Sequence, residues 1–88
     1  MYKVRNMVSG NGNAVPNQFV ISANGERIFQ SYDSVIAIVR KDGSISLDKK
    51  KWNYSATTGK YRNQFLGENI AETRRKINEG IYKLENLN

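Results

Sequence analysis

Two turn dipeptides, Asn24-Gly25 and Asp42-Gly43, each separate a pair of runs rich in β-branched and aromatic residues. Asn, Asp and Gly tolerate the positive φ angles of a tight hairpin turn, and this pattern is the strongest short-range signal for two paired antiparallel strands. The sequence therefore predicts two consecutive β-hairpins, over residues 18–32 and 34–48. The four strands of these hairpins predict that the first half of the chain forms a β-sheet.

The hydrophobic period changes after Trp52. Tyr61 and Phe65 lie four residues apart, as on one face of a helix, and Gly67 is a suitable residue at the helix C-terminus. Ser55, Thr57 and Thr58 are candidate N-caps, so we expect this helix to begin between residues 56 and 58. The pattern predicts one short helix between the second hairpin and Gly67.

A second helix is predicted after Gly67. Asn69 can cap its N-terminus, and Glu72 stands three residues later, as a capping box requires. Gly80 ends the pattern. Two weaker β signals complete the chain: an edge strand at residues 2–8 and a returning strand at residues 81–84.

The predicted element order is β-β-β-β-β-α-α-β, which is typical of an α+β domain. We expect a single binding domain over residues 1–88, with an antiparallel sheet of four to six strands and two short helices packed on one face. A length of 88 residues suits one domain. The predicted core consists of Phe19, Ile21, Ile28, Ile36, Ile38, Ile45, Leu47, Tyr61, Phe65, Ile70 and Ile77.

Composition limits the chemistry of this chain. It has no Cys and no His, which removes disulfides, thiol nucleophiles, the commonest general base and the commonest metal ligands. The acids Asp33, Asp42 and Asp48 lie in or beside predicted turns, where Asp forms local hydrogen bonds. Gly10-Asn11-Gly12 lacks the further residues of a phosphate-binding loop. We therefore expect no enzyme activity, no catalytic residue, no cofactor and no metal site.

The N-terminal residues lack the apolar segment of a signal peptide, and no run approaches the length of a membrane span. A secreted domain of this size would usually carry disulfides, so the absence of Cys favours a reducing interior. We expect a cytoplasmic protein that does not contact membranes, and most simply a monomer.

Positive charge is concentrated in one stretch. The net charge is +6, and residues 49–67 contribute five Lys and Arg residues and no acid. Trp52, Tyr54 and Tyr61 lie in the same stretch. Clustered cations attract phosphates or acidic protein surfaces, and aromatic rings can stack on bases or fill a protein pocket. The candidate partner-binding residues are Lys49, Lys50, Lys51, Tyr54, Lys60 and Arg62.

Three interpretations of this stretch stay open. It could contact nucleic acid, it could contact an acidic protein surface, or its aromatic residues could cover the core while its lysines lie in solvent. Trp52 fits a core position better than Tyr54 does, because Trp is usually well buried. The neighbouring cluster Arg74-Arg75-Lys76 has acids at helical spacing and indicates an ordinary exposed helix face.

Three segments carry a resemblance that covers most of the chain: Asn17 to Ile21, Phe29 to Ala37, and Trp52 to Glu68. Their pattern resembles a family of small proteins of bacteriophages and other mobile elements. It is similar to that of type II anti-CRISPR proteins, which inhibit Cas9. The resemblance concerns the overall pattern and assigns no role to an individual residue.

The resemblance implies a phage-type protein that binds a host nucleoprotein, most simply Cas9, by surface contact in the cytoplasm of a bacterial host cell. The positive charge is a departure, because many inhibitors that mimic DNA are acidic. A basic inhibitor would instead contact an acidic protein surface or the nucleic acid of the complex. The alternative is a nucleic-acid-binding accessory protein that uses the basic aromatic stretch.

Overall fold

The computed structural model describes residues 2–88, which form six strands and two helices. Both predicted hairpins are present, and both predicted helices follow them. The α+β class is thereby confirmed. The elements are β1 (Tyr2–Val8), β2 (Ala14–Ala23), β3 (Glu26–Ser31), β4 (Ser34–Val39), β5 (Ile45–Asp48), α1 (Ala56–Leu66), α2 (Ile70–Asn78) and β6 (Tyr82–Glu85).

The strands form one sheet in the order β1-β2-β3-β4-β5-β6. Neighbours from β1 to β5 pair antiparallel, but β6 pairs parallel to β5. The six-stranded sheet is therefore antiparallel as expected from β1 to β5, and the parallel β6 makes it a mixed sheet. The reason is topological. Between β5 and β6 the chain runs through α1 and α2, and such a helical crossover returns the next strand in the same direction as the one before it.

Local capping fixes the ends of α1. The side chain of Ser55 accepts a hydrogen bond from the backbone N–H of Thr58 at 3.1 Å. At the other end Gly67 adopts φ 72°, and its N–H bonds to the carbonyl of Asn63. Ser55 thus satisfies an otherwise free N–H group, and the left-handed Gly67 stops the helix.

The core lies between the sheet and the helices. Phe29 is fully buried, and its ring packs on that of Phe65 in α1 with centroids 5.7 Å apart. Val20, Ala37 and Leu47 lie on the same side of the sheet, because they align across paired strands with Phe29. The buried apolar cluster comprises Met7, Val20, Phe29, Ile36, Ala37, Leu47, Tyr61, Phe65 and Tyr82.

The predicted core was partly wrong in the strands. Ile36, Leu47, Tyr61 and Phe65 are buried as expected. In contrast, four predicted core residues lie on the face of the sheet away from the helices and are half-buried: Phe19, Ile21, Ile28 and Ile38. These strands carry apolar residues on both faces, so alternation alone could not choose the side that the helices cover.

The helices cover the sheet unevenly. α1 packs against β2 and β3, and α2 packs against β6. The side chains of Arg5 and Arg27 share the helix-bearing face, because Arg5 aligns with Val20 and Arg27 lies two residues from Phe29. A space beside α1 remains over β1 and β3.

Candidate functional site

The basic stretch forms the connection between β5 and α1, and Asp48 organises its first residues. The Asp48 carboxylate is 3% exposed and accepts backbone N–H bonds from Lys50 (3.2 Å), Lys51 (3.0 Å) and Leu87 (2.8 Å). Burial alone would raise the pKa of Asp48, but these donors outweigh it and lower the pKa. The carboxylate therefore stays ionised and holds the connection in a turn.

Lys49, Lys50 and Lys60 are the exposed cations of this region. None of them forms an ion pair with any residue between 2 and 88. The Lys60 ammonium group lies 5.5 Å from the ring centroid of Tyr61. Their positive charge is therefore left uncompensated, directly after β5 for Lys49 and Lys50 and within α1 for Lys60.

Lys51 and Tyr54 lie next to each other in the same connection. The Lys51 ammonium group donates a hydrogen bond to Ser34 Oγ at 2.7 Å and lies 5.9 Å from the Tyr54 ring centroid. Tyr54 is 46% exposed. Lys51 thus has a structural contact as well as a position in the basic region, while Tyr54 presents an aromatic surface to solvent.

Arg62 was predicted to contact a partner, but the structure places it inside the domain, at 1% exposure. Its Nη1 group donates to the Trp52 carbonyl (2.7 Å) and to Asn53 Oδ1 (3.1 Å), and its Nη2 group donates to Asn63 Oδ1 (2.8 Å). Burial, with repulsion from Arg74, lowers the pKa of Arg62. This side chain anchors the connection to α1.

Two guanidinium groups lie over the ring of Trp52. Arg62 lies 5.3 Å and Arg74 lies 5.4 Å from its ring. Trp52 is half-buried and packs against the core cluster, as its residue type suggested. Trp52 thus links the connection before α1 to an arginine of each helix.

The positive cluster in α2 behaves differently. Arg75 pairs with Glu72 and Glu79, both at 3.0 Å, and Lys76 pairs with Glu68 at 2.7 Å. The hydrogen bonds that Arg75 donates to Glu72 and Glu79 raise the pKa of Arg75. The prediction that this cluster is an ordinary exposed helix face fits two of its three residues, because neighbouring acids neutralise the charge of Arg75 and Lys76.

Beside α1, a cavity of about 350 Å³ lies over β1 and β3. Arg5, Arg27, Gln64 and Phe65 contribute to its lining. The sequence patterns did not indicate this site, because Arg5 and Arg27 are 22 residues apart. Only the pairing register of β1, β2 and β3 places both side chains on the helix-bearing face.

Within residues 2–88, no group of three or more acidic side chains is arranged to hold a metal ion. Neither α1 nor α2 has the length and apolar character needed to cross a bilayer.

Comparison with known proteins gives a family match. A model of a protein family of unknown function matches residues 2–80, from β1 through α2. No curated protein and no solved structure matches the chain.

Proposed function

The chain belongs to the Family of unknown function DUF8033, and from its surface we propose that this domain binds a nucleoprotein through the phosphates of its nucleic acid. Lys49, Lys50 and Lys60 supply the main contacts to these phosphates. Tyr54 and Lys51 supply an adjacent aromatic and cationic contact. The domain acts by occupying a surface of its partner.

The uncompensated charge of Lys49, Lys50 and Lys60 carries this proposal. Lys49, Lys50 and Lys60 have no carboxylate partner within residues 2–88, whereas Arg75 and Lys76 are paired. An isolated domain with several nearby like charges is stabilised by an anionic partner, and phosphates release counterions when lysines bind them. The charge distribution therefore supports a polyanionic partner.

Tyr54 extends the contact beyond charge. Its ring is exposed beside the Lys51 ammonium group. Aromatic rings next to cations stack on unpaired bases while the cations bind the flanking phosphates. Single-stranded segments of a nucleoprotein, such as guide RNA or displaced DNA, offer both features at once.

The sequence resemblance motivates a specific form of this proposal, in which a phage-type protein inhibits Cas9. The measurement is target DNA cleavage by a Cas9–guide complex with increasing amounts of the domain. Cleavage should fall as the domain saturates the complex. Full cleavage at saturating concentrations would rule out this form of the proposal. The next experiment tests nucleic-acid binding without Cas9.

The binding site is tested with two charge-matched triple variants. Lys49, Lys50 and Lys60 are changed together to Ala in the first. Lys3, Lys41 and Lys83, which are also exposed and unpaired within residues 2–88, are changed to Ala in the second. Lys51 is left intact, because its hydrogen bond to Ser34 contributes to the fold.

The readout is affinity for a fluorescent single-stranded oligonucleotide as a function of salt. Four phosphate contacts predict a log–log slope of about −3 for the wild type. The first variant should bind much more weakly, with a slope closer to zero by about 2, and the second should retain most of the slope. Equal losses in both variants would show that net charge, and not this surface, governs binding.

A second candidate is a nucleic-acid-binding accessory protein that needs no protein partner, and the exposed Tyr54 ring favours it. Tyr54→Ala should then weaken binding to a free single strand, while a duplex, whose bases are not exposed, should bind equally to variant and wild type. If the domain binds a Cas9–guide complex much more tightly than a free single strand, this candidate fails and the nucleoprotein proposal stands.

A further inference from the structure

The cavity beside α1 is separate from the basic connection and has its own cations. Arg5 of β1 and Arg27 of β3 both line it, and no acidic residue contributes to its lining. Neither arginine forms an ion pair or a side-chain hydrogen bond with residues 2–88. Glu26, next to Arg27 in the chain, points to the opposite face of the sheet because side chains alternate along β3.

The aromatic floor of the cavity orients one of these arginines. The guanidinium carbon of Arg27 lies 4.9 Å from the ring centroid of Phe65. A stacked guanidinium keeps its N–H donors at its edges, where they remain available to a ligand. Gln64 Nε2 donates to the Val8 carbonyl at 3.0 Å, which ties α1 to β1 at the boundary of the cavity.

We propose that this cavity binds the phosphate group of a small phosphomonoester, held between Arg5 and Arg27. A terminal phosphate presents three oxygens and can accept paired bonds from two guanidinium groups, whereas a carboxylate has only two oxygens. The volume of about 350 Å³ lies in the range of small-molecule sites. Met7, Val20 and Phe65 provide apolar contacts for the group that carries the phosphate.

The test is an NMR titration of the ¹⁵N-labelled protein with adenosine 5′-monophosphate. Backbone and Nε–H signals of Arg5 and Arg27 should shift and saturate. Adenosine, which lacks the phosphate, should bind at least about tenfold more weakly, and inorganic phosphate should compete. Equal affinity for adenosine and its monophosphate would overturn the proposal.

Three variants distinguish a formed site from general attraction. Arg5→Gln should weaken binding of the monophosphate about tenfold or more. Arg5→Lys, which keeps the charge but loses the planar pair of donors, should weaken it measurably. Lys83→Gln removes the same charge from β6, at the other edge of the sheet, and should leave the affinity unchanged. Equal effects of Arg5→Gln and Lys83→Gln would contradict a specific site.

Two further arms separate this site from the proposed nucleic-acid surface. The Lys49, Lys50 and Lys60 triple variant should retain affinity for the monophosphate; its loss would place the phosphate on that surface and overturn the separate site. A dinucleotide with a single internal phosphodiester should bind more weakly than the monophosphate. Tighter binding of the dinucleotide would identify the ligand as a nucleic-acid strand and would refute the phosphomonoester.

Discussion

A buried pair of hydroxyl groups joins α1 to the sheet. Ser31 Oγ and Thr58 Oγ1 are 2.8 Å apart, and both residues are fully buried. Each hydroxyl satisfies the other where water cannot reach, so removing one leaves its partner without a hydrogen bond. The position of α1, and of the connection before it, depends on this contact.

Thr58→Val tests that contact, because it replaces the hydroxyl by a methyl group of similar shape. We expect the free energy of unfolding to fall by about 1–3 kcal/mol, since Ser31 loses its partner. Urea denaturation followed by circular dichroism measures the change. Thr57→Val is the matched control: Thr57 is exposed in the same turn and should change stability by less than about 0.5 kcal/mol. Equal effects at both positions would contradict the role of the buried pair.

The candidate site shows which residues the sequence can and cannot assign. The sequence was sufficient to identify the charge excess to which Lys49, Lys50 and Lys60 belong, because all three lie in one stretch of 19 residues that contains no acid. The burial of Arg62 was not predictable, since it depends on carbonyl and amide oxygens of the folded connection. Charge alone does not distinguish an anchoring arginine from a binding one.

At the scale of elements, a glycine within α1 and the glycine that follows its last residue have opposite conformational demands. Gly59 lies within the helix and is buried, whereas Gly67 ends it at φ 72°. A methyl group at Gly59 would meet Asn53 Oδ1 at 3.4 Å, an ordinary contact distance, and one at Gly67 would contact nothing within 4 Å. At Gly59 the backbone angle suits any residue and the added methyl group makes an ordinary contact. At Gly67 there is free space for a methyl group, but the backbone angle favours glycine.

Gly59→Ala should raise the free energy of unfolding by up to about 1 kcal/mol, because Ala loses less backbone entropy in a helix. Gly67→Ala should lower it by about 1 kcal/mol, because the left-handed conformation is strained for a residue with a Cβ atom. Thermal unfolding of both variants under identical conditions provides the comparison. A stabilising Gly67→Ala would mean that the helix end rearranges freely.

Glu68 joins α2 to β6. Its carboxylate accepts hydrogen bonds from Thr73 Oγ1 (2.6 Å), Lys76 Nζ (2.7 Å) and Tyr82 OH (2.8 Å). Burial acts to raise the pKa of Glu68, but the bonds from Lys76, Thr73 and Tyr82 outweigh it and lower the pKa. A carboxyl group with a lowered pKa in the folded state stabilises the fold above its unfolded pKa and loses that contribution as the pH falls.

The pH dependence of Glu68→Gln follows from this sign. At pH 7 the variant should be less stable than the wild type by about 1–3 kcal/mol, because it loses bonds to an ionised group. Between about pH 5 and pH 3 the wild type should lose more stability than the variant, so that the difference shrinks. Urea denaturation across this range measures it. A constant difference at all pH values would exclude titration of Glu68 as the cause.

The elements also show where sequence patterns were insufficient for the fold. Asn24-Gly25 and Asp42-Gly43 identified both hairpins, because turn chemistry is local. The buried face of β2 was not predictable, since Phe19 and Val20 are both apolar and lie on opposite sides. The direction of β6 likewise depends on the crossover through α1 and α2, which no local pattern of Tyr82–Glu85 encodes.

At the scale of the whole molecule, net charge opposes compaction. Six net positive charges occupy a folded body with a radius of gyration of 12.3 Å, compared with about 29 Å for an unfolded chain of this length. Two unit charges about 20 Å apart in water repel by about 0.2 kcal/mol. Summed over the pairs of net charges, folding increases this repulsion by on the order of 1 kcal/mol. Binding of a polyanion removes it.

Salt should therefore stabilise the free domain, because ions at 0.15 M screen charges more than about 8 Å apart. Salt also weakens the four ion pairs found within residues 2–88. The Lys49, Lys50 and Lys60 triple variant separates the two effects because it keeps these four pairs. Reducing the net charge from +6 to +3 lowers the number of repelling pairs from 15 to 3, so the gain in stability with salt should shrink or reverse. Melting temperatures at about 10 and 150 mM salt give the comparison. An identical salt response in variant and wild type would show that repulsion among these cations does not limit stability.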